Sequence, residues 1–443
     1  MTTSTPVHVW LPEQVEPMLA GTFTHDPAKL RGQFEYAESY KADGHPALSP
    51  DMPLRKSKLT VSGGAAVFPV FLDAGPDAWG RHLLSRRLAR DVSELEALML
   101  CPTDGVGNIA LGELTTARLQ VLTQDEFFSV LEDVEAKGVA VTDLEEQVLN
   151  AAQNGTSLGG TKPKLTIQRD GYQYLAKFPA PGDSIWLPHI ECAMLKLARA
   201  CDVNAIANPE IWEVAPGRSA LLVPRFDRVT TAAGITRRGY VSAQSVLKLD
   251  QFPAPKAGDI VQLSLTGITP QAFRKSYVSF VEAMAPWCGG EQHLFEERRE
   301  LWRRIVFNAL IRNLDDHTHN HGLLCHDMLP TRQQWTLSPA FDLVPFSAAS
   351  AHPAFCMAYR YVPANARKKI AQPRLVTGVN LDDLLAAATD HYGYSADDAK
   401  DHLHRAATTV AKQWERYLAE EGVPAVERAR FNATFAFAGE VAS

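Results

Sequence analysis

The 443-residue chain has no apolar run approaching the length of a membrane helix, so a membrane-spanning role is not expected. Its start, Met1-Thr2-Thr3-Ser4-Thr5-Pro6, lacks the basic head and apolar core of a signal peptide, which points to a cytoplasmic protein. Six scattered cysteines (Cys101, Cys192, Cys201, Cys288, Cys325, Cys356) form no CxxC pair, a pattern of free thiols in a reducing compartment rather than a disulfide framework. Internal repeats and low-complexity tracts are absent. A net charge of −7 argues against a broad non-specific grip on nucleic acid. The short basic run Arg367-Lys368-Lys369 reads first as a solvated charge run, with contact to DNA or an acidic partner as the minority reading. What is present is the composition of an ordinary globular protein, too long for one core, so two or three domains are expected.

The first third alternates short strand patterns with turns: Val7 to Trp10, Gln33 to Tyr36, and the turn Asp104-Gly105-Val106-Gly107-Asn108 leading into Ile109 to Leu111. An arginine-rich helix is expected over 81–88, and an amphipathic helical pattern over 124–153. Then Asp170-Gly171 predicts a tight hairpin turn between strands 164–168 and 172–178. A helix follows on the stripe Ile190, Ala193, Met194, Leu197, Ala198, and Leu221 to Pro224 reads as a buried strand. From about residue 246 helix dominates, with the stripe Trp302, Ile305, Val306, Ala309, Leu310 and later helices over 381–388 and 397–418. The expected domains are 1–118, 119–245 and 246–443, in an α/β (α+β) chain whose N-terminal part is strand-rich and whose C-terminal lobe is helical.

One cluster carries chemistry beyond turn formation. Asn313-Leu314-Asp315-Asp316-His317-Thr318-His319-Asn320 is followed by Ser338-Pro339-Ala340-Phe341-Asp342 after a hairpin-sized gap. Phosphoryl transfer from ATP needs a carboxylate to accept a hydroxyl proton and oxygen ligands for Mg²⁺, and Asp315, Asn320 and Asp342 are of those types. Turn preference alone explains each residue singly. Apolar flanks (Ile311, Leu323-Leu324, Phe341) imply partial burial, where carboxylates need partners or a metal. His317, His319 and His321, with Cys325 and His326, suggest zinc, yet they lack a structural-zinc spacing; His317 is expected to orient the loop instead.

Upstream, Gly155-Thr156-Ser157-Leu158-Gly159-Gly160-Thr161-Lys162-Pro163-Lys164 lets backbone N–H groups approach a phosphate but departs from the P-loop pattern. Its place before a hairpin fits a kinase-type glycine loop, against the alternative of an ordinary flexible loop. Lys177 shares a strand face with Leu175, where an ammonium is costly without an anion such as a nucleotide phosphate; the alternative is an edge-strand lysine in solvent. Glu191 is either its ion-pair partner or a glutamate favoured by a helix N-terminus. Arg225-Phe226-Asp227-Arg228 is a structural ion-pair knot or a phosphate contact.

Taken together, these segments resemble the HipA family of bacterial serine/threonine kinases, toxins of type II toxin–antitoxin modules. The resemblance runs through Phe34-Glu35-Tyr36, Leu48 to Leu54, Asp104 to Leu111, Ser157 to Lys164, Ala176-Lys177-Phe178-Pro179, Arg225 to Arg228, Asn313 to Asn320, and Ser338 to Pro345. It implies a two-lobed, protein-kinase-like fold with an extra N-terminal subdomain. By the same resemblance Asp315 is the catalytic base, Asn320 and Asp342 hold Mg²⁺, and Lys177 holds the ATP phosphates. The resemblance also makes Ser157 the serine whose autophosphorylation switches the enzyme off, and the reading of the residues adds Ser157, Gly159, Gly160, Lys164, Glu191 and His317 to the expected nucleotide site. Implied partners are a helix-turn-helix antitoxin, with DNA reached only through it, and a protein substrate such as an aminoacyl-tRNA synthetase. The chain departs from better-known members at Val241-Ser242-Ala243-Gln244-Ser245, where small neutral residues replace an acidic segment near the adenine, so no side chain is assigned to the base. A small-molecule phosphotransferase or a non-catalytic corepressor are the other readings.

Overall fold

The computed structural model describes residues 2–76, 78–101, 103–119, 121–128, 163–180, 182–251, 270–346, 353–364 and 372–443. Ser157, Gly159 and Gly160, most of the 124–153 pattern, and Arg367-Lys368-Lys369 lie outside the described residues. The chain divides into two compact units, and neither is continuous in sequence: Met1–Pro188, Asn208–Ser245 and Leu323–Trp335 form the first, and His189–Ala207, Val246–Gly322 and Thr336–Ser443 the second.

In the first unit, β1 (Thr3–Val9), β2 (Met18–Asp26), β3 (Arg31–Tyr36), β4 (Leu59–Ser62) and β5 (Ile109–Leu111) form a sheet of order β4-β3-β2-β1-β5. The period-2 pattern of β1 and β3 places Val7, Val9, Phe34 and Tyr36 on one face. There Phe23, Phe34, Phe68 and Phe71 pack edge to face, the arrangement the ring quadrupoles favour.

The second sheet of this unit has the order β6-β7-β8-β10-β9, from β6 (Leu122–Thr123), β7 (Lys164–Arg169), β8 (Tyr172–Lys177), β9 (Glu210–Ala215) and β10 (Arg218–Pro224). The expected β7–β8 hairpin is present. Asp170 and Gly171 carry φ of 51° and 79°, the left-handed pair that a two-residue type I′ turn requires. Leu165, Ile167, Ala176 and Phe178 turn to one side, against Phe127, Trp212 and Leu222.

The Arg225–Arg228 segment is a buried knot. Asp227 receives Arg225 Nη2 at 2.8 Å, Arg228 Nη1 at 2.6 Å and the Gly107 amide at 2.8 Å. Both guanidiniums also donate to Gly105 O, and Arg225 donates to the carbonyl of Asp104. These contacts fill the fork geometry with carbonyl and carboxylate oxygens, so the segment ties the 104–107 turn to β10, and the structural reading accounts for it. Burial alone would raise the Asp227 carboxyl, but the two arginines beside it hold it well below the usual range.

The second unit is built on helices α1 (Leu187–Ala200, from His189 onward), α2 (Tyr277–Ala283), α3 (Glu291–Ile311), α4 (Leu381–His391) and α5 (Ala396–Glu420). Asn380 and Ser395 cap α4 and α5 by accepting the amides of Asp383 and Asp398, which explains where these two helices begin. The expected stripe of α3 (Trp302, Ile305, Val306, Ala309, Leu310) is fully buried, and Trp302 Nε1 donates to Leu384 O of α4 at 3.1 Å. The helical lobe also holds a short ribbon, Arg360–Val362 paired with Arg374–Val376, pinned by Arg360 and Arg374 to Asp383. No helix among the described residues is long and apolar enough to cross a membrane.

Candidate functional site

The acidic loop starts where α3 stops. Arg312 adopts φ 53°, a left-handed C-cap whose amide returns to Asn308 O and Ala309 O, and the chain turns out into 313–320. Asp315 and Asp316 then part company. Asp315 is exposed, and its Oδ1 accepts the Cys356 thiol at 3.7 Å. Asp316 is 2% exposed, and its Oδ2 accepts Asn308 Nδ2 at 2.7 Å, His321 Nε2 at 2.9 Å and the Tyr277 hydroxyl. Three donors on one buried oxygen make Asp316 an anchor, and the anchor presents its neighbour to solvent.

Asn320 is 7% exposed and gives its Nδ2 to Asp315 O at 3.4 Å, so the amide oxygen is the end left for a cation. Asp342 sits in the left-handed region at φ 59°, which aspartate tolerates better than most residues. A buried ion pair of α3 holds its segment: Glu300 and Arg304 meet at 2.9 Å, Arg304 Nη2 donates to Ser338 O at 2.6 Å, and Glu300 accepts the Asn204 amide at 3.0 Å. Ala340 then bridges to Ala205, with Ala340 N on Asn204 O at 2.7 Å. From the loop side, Asn313 Nδ2 reaches Asn308 Oδ1 at 3.1 Å and Asp342 O at 3.4 Å. The second unit thus brings the 313–320 loop and the Asp342 segment together. An amide oxygen and a carboxylate are hard oxygen donors of the kind Mg²⁺ takes, so the donor types fit that ion.

His317 leaves Nδ1 buried without a hydrogen-bond partner, while its carbonyl accepts the Asn320 amide at 2.9 Å. The zinc alternative meets a different arrangement. His321 is engaged with Asp316, Cys325 Sγ donates to Asp327 O at 3.4 Å, and no three His, Cys, Asp or Glu side chains among the described residues converge as a metal group.

In the first unit, Lys177 and Lys164 are directly opposed across β7 and β8, on the sheet face turned away from Phe178 and Ile167. Strand β8 lies between β7 and β10, so Lys177 is not on an edge strand, and Lys164 is 4% exposed. The strand register thus sets two lysines side by side on one sheet face. Glu191, of the second unit, lies one turn inside α1 and is 5% exposed, unlike a glutamate placed only to cap a helix in solvent.

Sequence reasoning missed Tyr277, Asn308 and Cys356. Asn308 had a signal, a lone amide within the apolar stripe of α3; Tyr277 and Cys356 had none, because only the tertiary fold brings them to the loop.

By fold and site this is a mixed α/β protein, strand-rich in its first unit and helix-rich in its second, with oxygen donors gathered on the loops after α3. The HipA N-terminal domain model matches residues 7–112 and the HipA-like C-terminal domain model matches 156–414, and the chain belongs to the HipA family. No curated protein matches the chain. Among solved structures, it is similar to the toxin–antitoxin HipA of Shewanella oneidensis MR-1, described in complex with HipB and operator DNA. That likeness has a TM-score of 0.63 at 17% identity, covering 99% of this chain and 96% of the other, and it establishes the fold. The Helicobacter pylori proinflammatory kinase CtkA aligns at a TM-score of 0.41 and 12% identity, over 65% of this chain and 90% of that one.

Proposed function

We propose that this protein is an ATP- and Mg²⁺-dependent serine/threonine protein kinase, the toxin of a toxin–antitoxin pair. The carrying observation is the split between neighbours, Asp316 buried under three donors and Asp315 presented to solvent beside Asn320. A general base must be fixed and accessible together, and this pair divides the two demands. Asp315 accepts the proton of the acceptor hydroxyl. Asn320 and Asp342 would hold Mg²⁺, which would offset the charge of the transferring phosphates. Lys177 and Lys164 hold phosphates, with Gly159 and Gly160 offering backbone N–H groups, and Glu191 and His317 are assigned to nucleotide binding as well. Ser157 is the autophosphorylation site, and a dianionic phosphate there would pull the glycine loop from its nucleotide-bound pose. HipB in the Shewanella complex supports a HipB-like antitoxin as partner here; that this antitoxin is a helix-turn-helix protein and that DNA is reached only through it are carried from the family resemblance. The proposed location is cytoplasmic.

The test is incubation of the purified protein with Mg²⁺ and γ-labelled ATP, followed by phosphopeptide mass spectrometry. Label on Ser157 and on an added protein acceptor, lost in Asp315→Ala, is the expected result. Label passing only to small hydroxyl compounds would replace the acceptor class. Absence of both incorporation and nucleotide binding, with Mg²⁺ or Mn²⁺, would overturn the enzymatic reading.

A further inference from the structure

Asn308 uses both ends of one amide. Its Nδ2 donates to Asp316 Oδ2 at 2.7 Å, and its Oδ1 accepts Asn313 Nδ2 at 3.1 Å. It is 1% exposed, in the last turn of α3 between Val306, Ala309 and Leu310, where an apolar side chain would serve packing as well. The amide orientation is dictated by its partners, since a flip would set its oxygen against the Asp316 carboxylate. Asn313 is 3% exposed, and its Nδ2 also reaches Asp342 O at 3.4 Å, the carbonyl of a residue held at φ 59°. The chain of contacts therefore runs Asp316, Asn308, Asn313, Asp342, from the residue beside the proposed base to the proposed metal ligand.

We infer that Asn308 and Asn313 are positioning residues that set the Asp315 loop and the Asp342 segment in register, so that base and metal ligand face one reaction centre. This rests on the phosphotransfer reading above. Neither amide touches the reacting atoms. Each acts through the backbone or carboxylate it holds, as outer-shell partners of metal ligands do. An apolar residue at 308 could preserve the packing of α3 but could not transmit position in both directions.

The test compares wild type with Asn313→Ala, Asn308→Ala and the double variant, with Asp315→Ala as control. Mn²⁺ binding in the presence of ADP, followed by electron paramagnetic resonance, gives a readout independent of turnover. Asn313→Ala is expected to weaken Mn²⁺ binding by about tenfold and to lower kcat by about 10- to 100-fold with little change in KM for ATP. Asp315→Ala should bind Mn²⁺ like wild type. The double variant should lose less than the product of the single losses, because both amides serve one link. Should Asn308→Ala fail to fold, Asn313→Ala decides alone, since it leaves the Asn308 to Asp316 bond in place. Folded variants with wild-type melting, Mn²⁺ affinity and kcat would overturn the inference and leave the kinase reading standing. A wild type that binds no metal with nucleotide would overturn both.

Discussion

Asp315 and Asp316 are identical in chemistry and opposite in environment, and single substitutions should separate them. Asp315→Ala removes an exposed carboxylate that, among the described residues, accepts the Cys356 thiol, so the melting temperature should stay within a degree or so while phosphoryl transfer falls about 10²- to 10⁴-fold. Asp316→Ala strands Tyr277 Oη, Asn308 Nδ2 and His321 Nε2 in a buried space, which should cost the second unit about 3 kcal/mol. Thermal melts set beside γ-phosphate transfer assays check both, and a stable, inactive Asp316→Ala would contradict the anchor. Burial, and then Asp315 itself, push the Cys356 thiol upward, so it stays protonated at neutral pH and donates to the carboxylate.

At the scale of elements, the β7–β8 hairpin and the Arg225–Asp227–Arg228 knot show two kinds of information. The hairpin was legible because alternation and Asp170-Gly171 chemistry act between near neighbours in sequence. The knot was legible only as two alternatives, since its deciding partners, Gly105 and Gly107, lie over a hundred residues away. Asp227→Asn should cost about 3 to 5 kcal/mol by leaving Arg225 and Arg228 buried with half their compensation. Far-UV circular dichroism through urea unfolding would record that loss. The depressed Asp227 carboxyl gives the sign of its pH dependence: its contribution is present above the ordinary carboxylate pKa and is lost only as pH falls through the lower folded value. Helix α3 was legible in its apolar stripe, whereas the work of Asn308 within that stripe was not, because a hydrogen bond to Asp316 leaves no periodic trace.

For the molecule as a whole, stability should respond to mild acid through His402 of α5. This imidazole is 5% exposed, lies against Trp302 and Tyr394, and has no partner for Nε2. Burial, aided by Arg303 and Arg405, lowers its pKa to about 4. Between roughly pH 6.5 and 4 the unfolded chain takes up a proton that the folded chain refuses, so stability falls across that window, by up to roughly 3 kcal/mol. Thermal melts at pH 7 and 4.5 should show the fall, and His402→Leu should flatten it; an unchanged slope would place the acid sensitivity elsewhere.

By itself the sequence determined the α/β class, the strand-to-helix change along the chain and the family, because periodicity, turn residues and ordered motifs are local properties. It also supplied the residue types for phosphate transfer, which chemistry restricts to few choices. The tertiary structure alone decided that Asp316 is buried while Asp315 is not, that β8 is a central strand, and that each unit is assembled from separated segments. Burial and pairing arise between residues far apart in the chain, and their free energy exists only once those residues have met.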